Sequence, residues 1–338
     1  MRSLFEVWQD LRGRRENRVE DIVKRKLVIS PENVKLENFP IRKPVAVFNP
    51  SLLLENGETK LYARIVIGYY KYISAIAEMR EGDSFFRAKI VILPDREFDV
   101  MGAEDPRVYE FKGKILMTYT GRTPGYFDHS TVERVVPVTA VKTGEEWKKI
   151  CIAKFEREVA EEMRITSNKN AFFAEIGKNS KFFHRMHEES GNFYLLLSDF
   201  RESSFGGKFE EVVLENTKQI LLQEKFEEKV GWCTPPLKIE DEYLFFLHAA
   251  EKRLKSYRVF AVLMDPSMRI TAITPHYIMA PKEVYEIYGD RSLTIFPCGA
   301  GRMDDKILIS YGAADSFACI GEIELSELLA VLDKNRVE

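Results

Sequence analysis

The feature that most constrains the fold is a long succession of short apolar runs with a period of two. From Ile29 onwards, runs rich in β-branched and aromatic residues follow one another, separated by turn residues such as Asn56-Gly57, Lys112-Gly113 and Ser190-Gly191-Asn192. This pattern predicts strands joined by hairpins. A β-sandwich would satisfy it, but so many strands in one uninterrupted chain are easier to accommodate in a β-propeller.

Helical periodicity occurs at both ends of the chain. Residues 3–27 carry apolar groups spaced three and four apart, which predicts an amphipathic helix interrupted near Gly13. A leucine stripe over residues 325–335 predicts a closing helix. Since no linker or low-complexity segment is evident, we predict an N-terminal helical extension over residues 1–28 and a single all-β domain, with the C-terminal helix, over residues 29–338.

Composition excludes several function classes. A net charge of −3 over 338 residues offers no basic excess for a nucleic-acid backbone. No apolar run is long enough to span a bilayer, and the N-terminus is charged, so we predict a cytoplasmic protein without a membrane partner. The four cysteines lie far apart without a Cys-x-x-Cys pair, which argues against a metal site or a disulfide framework.

One strand–turn–strand unit presents stiffly held charges. The sequence Glu104-Asp105-Pro106-Arg107 precedes a hairpin that turns at Lys112-Gly113. Pro106 fixes its own φ and restricts Asp105, so the carboxylate and the neighbouring guanidinium are held at the entrance to the hairpin. Such charges suit a polar ligand, although a structural Asp/Arg pair bracing a turn would give the same pattern.

Polar residues also stand at the ends of other predicted strands. Asn49-Pro50-Ser51 follows the first strand, and Arg64 lies in the next one. Asn168-Lys169-Asn170 precedes a strand that ends in His184-Arg185. Turn formers and exposed strand ends give similar patterns, so these residues alone leave a structural role open.

Two later segments carry further candidates. Lys229-Val230-Gly231 leads into Pro235-Pro236, which predicts a rigid loop because neither proline suits a central strand, and the following strand delivers His248. Another strand ends in Tyr311-Gly312-Ala313-Ala314-Asp315, where small residues allow close approach of a ligand and a carboxylate can accept from hydroxyls. Alone, His248 would be a structural histidine and Asp315 an ordinary strand end.

Taken together and in this order, the motifs resemble those of glycoside hydrolase family 130. The match extends from Asn49 to Asp315, and Tyr311 to Asp315 agrees with the family pattern nearly letter for letter. The resemblance implies a five-bladed β-propeller, here with short N- and C-terminal helices. It also implies action on β-mannosides, by phosphorolysis in most of the family and by hydrolysis in some branches. Inorganic phosphate would be the co-substrate, with no other cofactor.

The resemblance also implies roles for individual residues. The expected sugar-binding residues are Asn49, Ser51, Arg64, Asp105, Arg107, Tyr311 and Asp315. The expected phosphate-binding residues are Lys169, Arg185, Lys229 and His248. Cationic donors of this kind suit an attacking phosphate, since arginine binds it through a bidentate fork and lysine as a point charge.

One departure concerns the proton donor. Where the family usually has an aspartate that protonates the leaving group, this chain has Thr123, whose hydroxyl is far too weak an acid. Asp105 is expected to be an ionised carboxylate in the catalytic centre. We therefore predict that Asp128 is the acid, because the loop from Pro124 to Arg134 could fold two aromatics over the pocket and raise its pKa. An ordinary aspartate in a solvated loop would give the same sequence. His129 and Glu133 are the other candidates in this loop.

Three functions remain open from the sequence. The first is phosphorolysis of a β-mannoside to mannose 1-phosphate. The second is hydrolysis of a related glycoside with inversion, which the basic residues Arg185, Lys229 and His248 argue against. The third is a catalytically silent sugar-binding propeller, suggested by Thr123. The expected partners are a small oligosaccharide, phosphate and a second copy of the chain that contacts the N-terminal helix.

Overall fold

A computed structural model of the chain describes residues 5–55, 57–201, 205 and 208–337. Strands dominate these residues, which confirms the all-β prediction. The strands β1 to β22 are, in chain order, Lys24–Ile29, Val34–Leu36, Ala46–Glu55, Glu58–Val66, Ser74–Arg80, Phe86–Ile92, Ala103–Phe111, Lys114–Arg122, Val135–Thr143, Glu146–Lys154, Ile165–Ile176, Asn179–Glu188, Phe193–Phe200, Glu210–Gln219, Glu227–Trp232, Leu237–Ile239, Glu242–Glu251, Tyr257–Met264, Ile270–Ile273, Ile295–Met303, Lys306–Ala313 and Phe317–Glu324. The helices α1 to α3 are Arg157–Glu162, Val284–Ile287 and Leu325–Asp333.

The described strands form four hydrogen-bonded sheets. In the first sheet, β3 to β6 run antiparallel in chain order and β2 adds a short parallel strand beside β6. A second contains β15, β17, β18 and β19, with β16 paired to β17. A third joins β20, β21 and β22 to β1, so a strand near the start of the chain completes a sheet formed near its end.

The largest sheet has eight strands and consists of two antiparallel runs, β7 to β10 and β11 to β14. Residues Cys151–Lys154 of β10 pair in parallel with Glu210–Val213 of β14, and Ser167 pairs with Val135. Six of its strands therefore close on themselves as a ring. The hydrogen-bonded sheets do not separate into five blades.

Alternation along the strands places the apolar side chains between the sheets. The largest core contains an aromatic group in which Phe172 and Phe183 stack with ring centroids 5.2 Å apart and Trp232 meets the edge of Phe183 at 5.1 Å. Phe245 packs on the same group. Each such ring removes a large apolar area from water, and edge-to-face contacts add stabilisation.

The prediction of an N-terminal helix is wrong, since residues 5–23 contain no helix. Their backbone instead bonds to distant parts of the chain: Trp8 N–H donates to the carbonyl of Gln219 at the end of β14, at 2.7 Å, and Glu20 N–H donates to the carbonyl of Tyr277, after β19, at 2.9 Å. The apolar residues that suggested a helical stripe, such as Leu11, enter the cores of the sheets. Tertiary pairing thus overrides the periodicity, while the domain division at residue 28 and oligomerisation stay predictions.

The C-terminal helix is confirmed as α3, which ends two residues earlier than predicted. Leu325, Leu328 and Leu332 are buried against the neighbouring sheets, in agreement with the predicted stripe. No helix of the described residues is long and apolar enough to cross a membrane. The cytoplasmic location and the absence of a nucleic-acid partner stay predictions from composition.

A buried ion pair fixes the N-terminal segment. The Arg15 guanidinium donates to both carboxylate oxygens of Glu227, at 2.5 and 2.6 Å, and lies 3.8 Å from the centre of the Phe260 ring. The Tyr277 hydroxyl donates to the same carboxylate at 2.6 Å. Because both charges are out of water, each stabilises the fold only while its partner is present.

We expect Arg15→Ala to lower the free energy of unfolding by about 3–5 kcal/mol, since it leaves the Glu227 carboxylate buried and uncompensated. Urea denaturation measures the change. The matched control is Arg12→Ala, which removes an exposed arginine paired with Asp10 and should have no measurable effect. Equal losses in both variants would contradict a special role for the buried pair.

Candidate active site

A single cavity of ≈ 800 Å³ receives polar side chains from all four sheets. Seven of the predicted site residues line it: Asn49, Arg64, Asp105, Lys169, Arg185, Lys229 and Asp315. They come from β3, β4, β7, β11, β12, β15 and the turn after β21. The topology thus brings together residues that are up to 266 positions apart, from Asn49 to Asp315.

β-Bulges aim three of the strands at the cavity. The pairing register shifts around Asn49 in β3, Asp105 in β7 and Asn170 in β11, and these residues have φ values of 48°, 52° and 55°. Asparagine and aspartate tolerate this left-handed conformation better than most residues. A bulge adds an unpaired residue and turns the strand locally, so it redirects polar side chains out of a regular sheet.

Acidic groups and Arg64 form one side of the cavity. The Asn49 amide donates to Asp105 Oδ1 at 2.7 Å, while the Arg64 guanidinium lies 3.5 Å from the same oxygen and 2.7 Å from Glu104 Oε1. Burial would raise the pKa of Asp105, but Arg64 and the Asn49 hydrogen bond outweigh burial and lower it. This direction agrees with the predicted ionised state of Asp105, but Arg64 contributes more to it than Arg107 does.

Two glycines of the sequence motifs allow this close packing. A Cβ atom on Gly312 would lie 1.8 Å from Asn49 Oδ1, and one on Gly231 would lie 2.5 Å from Cε1 of His248. Real Cβ atoms do not approach other atoms this closely. The glycines are therefore required by the side chains that pack against them.

Basic groups form the other side of the cavity. Lys169 and Arg185 are directly opposite each other on β11 and β12, an arrangement of like charges that is unfavourable without an anion. The Lys229 ammonium lies 4.8 Å from the Phe193 ring centre and 5.4 Å from that of Tyr257. The Nε of Arg185 is buried without a hydrogen-bond partner among the described residues.

Burial and neighbouring positive charges lower the pKa values of the basic residues in this cluster. Burial, followed by the charge of Arg185, lowers the pKa of Lys229 to about 7. Burial also lowers the pKa of Lys169, where the Glu104 carboxylate opposes the shift and Arg185 adds to it. Burial lowers the pKa of Arg185 to about 10. A bound anion would relieve both the repulsion and the loss of hydration. The cluster is therefore a candidate anion site.

His248 lies behind this cluster and does not line the cavity. Its Nε2 is 3.3 Å from the Arg185 Nη1, and its ring lies 4.8 Å from that of Phe296. Burial, with the nearby cations, holds its pKa well below the usual range, so the ring is neutral and can accept from Arg185. The structure therefore places His248 where it orients Arg185.

Three other predicted sugar-binding residues are buried outside the cavity. Ser51 Oγ accepts from the Val108 N–H at 2.9 Å, and the Tyr311 hydroxyl donates to Glu286 at 2.8 Å. Arg107 donates to the backbone carbonyls of Cys233 and Asp105, at 2.8 and 2.9 Å. Their polar groups are used between strands, so the structure does not bring them to the site.

The predicted environment of Asp128 is also wrong. Its carboxylate is exposed, does not line the cavity and accepts from the Ser130 hydroxyl at 2.7 Å, which together with the Ser130 N–H lowers its pKa instead of raising it. Burial raises the pKa of Glu133, but that side chain also lies outside the cavity lining and is 3.8 Å from Lys154. The loop does reach the cavity through Tyr126, Phe127 and His129.

Sequence reasoning missed several residues of the site. Arg291 lies at the mouth of the cavity and donates to the Tyr257 hydroxyl at 2.9 Å, which adds another cation near Lys229. Glu104 stood in the recognised motif without a predicted role. In sequence, Gly289-Asp290-Arg291 is indistinguishable from an ordinary turn. Asn170, which also lines the cavity, could have been found because it stands in the polar triplet Asn168-Lys169-Asn170.

A polar cavity that sets carboxylates opposite cations in an all-β scaffold is typical of an enzyme with a polar substrate. The profile of glycoside hydrolase family 130, described as beta-1,4-mannooligosaccharide phosphorylase, matches residues 13–334. The chain belongs to this family.

Relatives of established activity are similar over most of their length. The 1,2-beta-oligomannan phosphorylase of Thermoanaerobacter sp. (strain X514) is 27% identical over 294 residues, 84% of this chain and 91% of that protein. The beta-1,2-mannobiose phosphorylase of the same organism is 26% identical over 315 residues, with 86% and 96% coverage. The structure of the Listeria innocua beta-1,2-mannobiose phosphorylase in complex with beta-1,2-mannobiose has a TM-score of 0.74 at 19% identity, covering 93% of this chain and 99% of that one.

The pKa of Lys229 predicts pH-dependent anion binding. The ammonium is charged below about pH 7 and loses its charge above it. Sulfate, which keeps its charge throughout, should therefore bind roughly tenfold more weakly at about pH 8.5 than at about pH 6, since a charge-assisted hydrogen bond contributes roughly 1.5–3 kcal/mol. Calorimetry measures both affinities.

Lys229→Arg provides the control for this prediction, because arginine stays charged over the whole interval. The fall in sulfate affinity should be much smaller in this variant. The same fall in both proteins would show that another group titrates, such as Lys169.

Proposed function

We propose that this protein catalyses phosphorolysis of β-mannosides and releases mannose 1-phosphate. The observation that carries the proposal is the group of half-buried and buried cations, Lys169, Arg185 and Lys229, which lacks carboxylate partners within ion-pair distance among the described residues. Family membership and the phosphorylase activity of the relatives support it.

The two sides of the cavity suit the two substrates. Phosphate is a polyanion that Arg185 can hold through its planar guanidinium and Lys169 and Lys229 can hold through their ammonium groups. The sugar needs acceptors for its hydroxyl groups, which Asp105 and Asn49 provide. A phosphate oxygen attacks the anomeric carbon while the glycosidic bond breaks on the opposite face, and the configuration inverts.

The positive charge on one side of the cavity favours phosphate over water as the nucleophile, because phosphate neutralises it. Water needs a carboxylate base on the face from which it attacks. In this chain the corresponding side of the cavity carries cations, which lower the basicity of any nearby group and attract an anion. Phosphate supplies its own nucleophilic oxygen and needs no such base.

We infer that the fold is a five-bladed β-propeller. The support is that the strands fall into five successive groups of four: β3 to β6, β7 to β10, β11 to β14, then β15 with β17 to β19, and β20 to β22 completed by β1. The first strands also meet one another, since β3 contacts β7 and β20, and β11 contacts β7 and β15. The two groups of the large sheet are then neighbouring blades joined by edge pairing.

The decisive experiment incubates the protein with β-1,2- and β-1,4-mannobiose, with and without inorganic phosphate. Both linkages are included because the family description names one and the relatives the other. Phosphate-dependent release of mannose 1-phosphate is the expected result. Mannose released without phosphate would indicate a hydrolase, and no product from either substrate would indicate a binding protein.

We expect Lys229→Ala to weaken phosphate use by roughly 10- to 100-fold, because it removes a charge-assisted contact contributing roughly 1.5–3 kcal/mol. The KM for phosphate in the phosphorolysis assay reports the change. Lys255→Ala is the matched control, since Lys255 is exposed, pairs with Glu228 at 3.1 Å and does not line the cavity. A similar rise in KM in both variants would attribute the effect to net charge.

A further inference from the structure

The phosphorolysis proposed above leaves one chemical task without a residue. An alkoxide leaving group needs a proton, and Thr123, which stands where the family usually has an acid, cannot supply one near neutral pH. Its hydroxyl donates to the backbone carbonyls of Glu133 and Arg134, at 3.3 and 3.1 Å. The proton donor must therefore be another group with access to the cavity.

In the part of the chain that the structure describes, four carboxyl groups line the cavity. Glu104 and Asp105 are held by Arg64, which keeps them acceptors rather than donors. Asp290 is exposed to solvent at the mouth, so nothing shields its proton from water. His129 also reaches the cavity, but it is exposed and its Nδ1 lies 3.0 Å from Nη1 of Arg134. The remaining carboxyl group is Asp315, whose carboxylate accepts no hydrogen bond and forms no ion pair within 4 Å among residues 5–55, 57–201, 205 and 208–337.

We propose that Asp315 is the catalytic residue that protonates the glycosidic oxygen. It lies at the end of β21, half-buried and directed into the same cavity as Arg64 and Asp105. Its φ of 50° holds it in the left-handed region at a tight turn, which fixes the backbone from which the carboxyl projects. A rigid backbone and a carboxyl group without a protein partner are both suited to proton transfer.

The electrostatic surroundings agree with this role. Burial raises the pKa of Asp315 to about 6, and the Asp105 and Glu104 carboxylates act in the same direction, while Arg64 and Arg291 oppose them. An acid is most effective when its pKa lies near the working pH. In the same cavity the pKa of Asp105 is lowered, so the two carboxyl groups are adapted to opposite states.

Phosphorolysis exchanges the glycosidic bond for a bond to phosphate and transfers one proton. A phosphate oxygen forms a bond to the anomeric carbon, and the bond from that carbon to the glycosidic oxygen breaks. The electron pair of the broken bond stays on the glycosidic oxygen, which takes the proton of Asp315. The products are mannose 1-phosphate and a sugar with a free hydroxyl, and the Asp315 carboxylate recovers a proton from water.

The test is Asp315→Asn, which keeps the shape and tolerates the left-handed backbone but removes the acidic proton. Phosphorolysis of a mannobioside should fall by about a hundredfold or more. With 2,4-dinitrophenyl β-mannoside, whose leaving group needs no proton, the rate should stay within about tenfold of the parent. The decline of the parent's kcat/KM as pH rises through about 6 should also disappear in the variant.

Equal losses on both substrates would overturn the proposal and make Asp315 only a sugar ligand, and unchanged activity on the mannobioside would overturn it outright. Asp304→Asn is the matched control, because Asp304 is an exposed aspartate with a φ of 54° at the turn before β21. Its activity should stay within about twofold of the parent. A parent that releases no mannose 1-phosphate from any β-mannoside would instead refute the proposed function, and the donor assignment with it.

Discussion

The repeated β-bulge is the constraint on which the site depends. Asn49, Asp105 and Asn170 each occupy a left-handed position in the first strand of a four-stranded group, and the strands that carry them contact one another. A regular strand would alternate its side chains between the two neighbouring sheets and present few polar groups at its end. The bulge frees one residue per strand from that alternation. Acidic and amide groups can therefore converge on one cavity without disrupting the apolar cores on either side.

The cavity also depends on the separation of charge. The Arg64 guanidinium pairs with the carboxylates of Glu104 and Asp105, so its positive charge is compensated without a ligand. The opposite side holds Lys169 and Arg185 in direct cross-strand opposition, with their pKa values lowered by burial. This separation of charge is the basis for the proposed phosphate site on one side of the cavity and the proposed sugar site on the other.

Much of this could be predicted from sequence, and the failures have physical causes. Short runs rich in β-branched and aromatic residues identified strands such as β13 and β21, which are buried along most of their length between neighbouring sheets. Many residues of the site could be predicted because their motifs occur in the same order as in the family. Ser51 and Arg107 were wrongly included, since they bond to backbone groups that the sequence does not reveal. The N-terminal segment was misassigned because its hydrogen bonds reach parts of the chain some two hundred residues away. Arg291 was missed because the sequence shows only that it lies in a turn, and the fold alone shows that this turn faces the cavity.

The contrast between Asp128 and Asp315 shows why an acid cannot be chosen by proximity in sequence. Asp128 stands five residues from Thr123, yet solvent and the Ser130 hydroxyl stabilise its charge, so its pKa falls. Asp315 stands far away in the chain, but the fold buries it near the carboxyl groups of Asp105 and Glu104, so its pKa rises. The pKa of a carboxyl group depends on burial, nearby charges and hydrogen bonds, and the residues that provide them come from strands far apart in the sequence. In the proposal made for Asp315, an acid missing from one strand is therefore replaced by a carboxyl group that follows another strand and faces the same cavity.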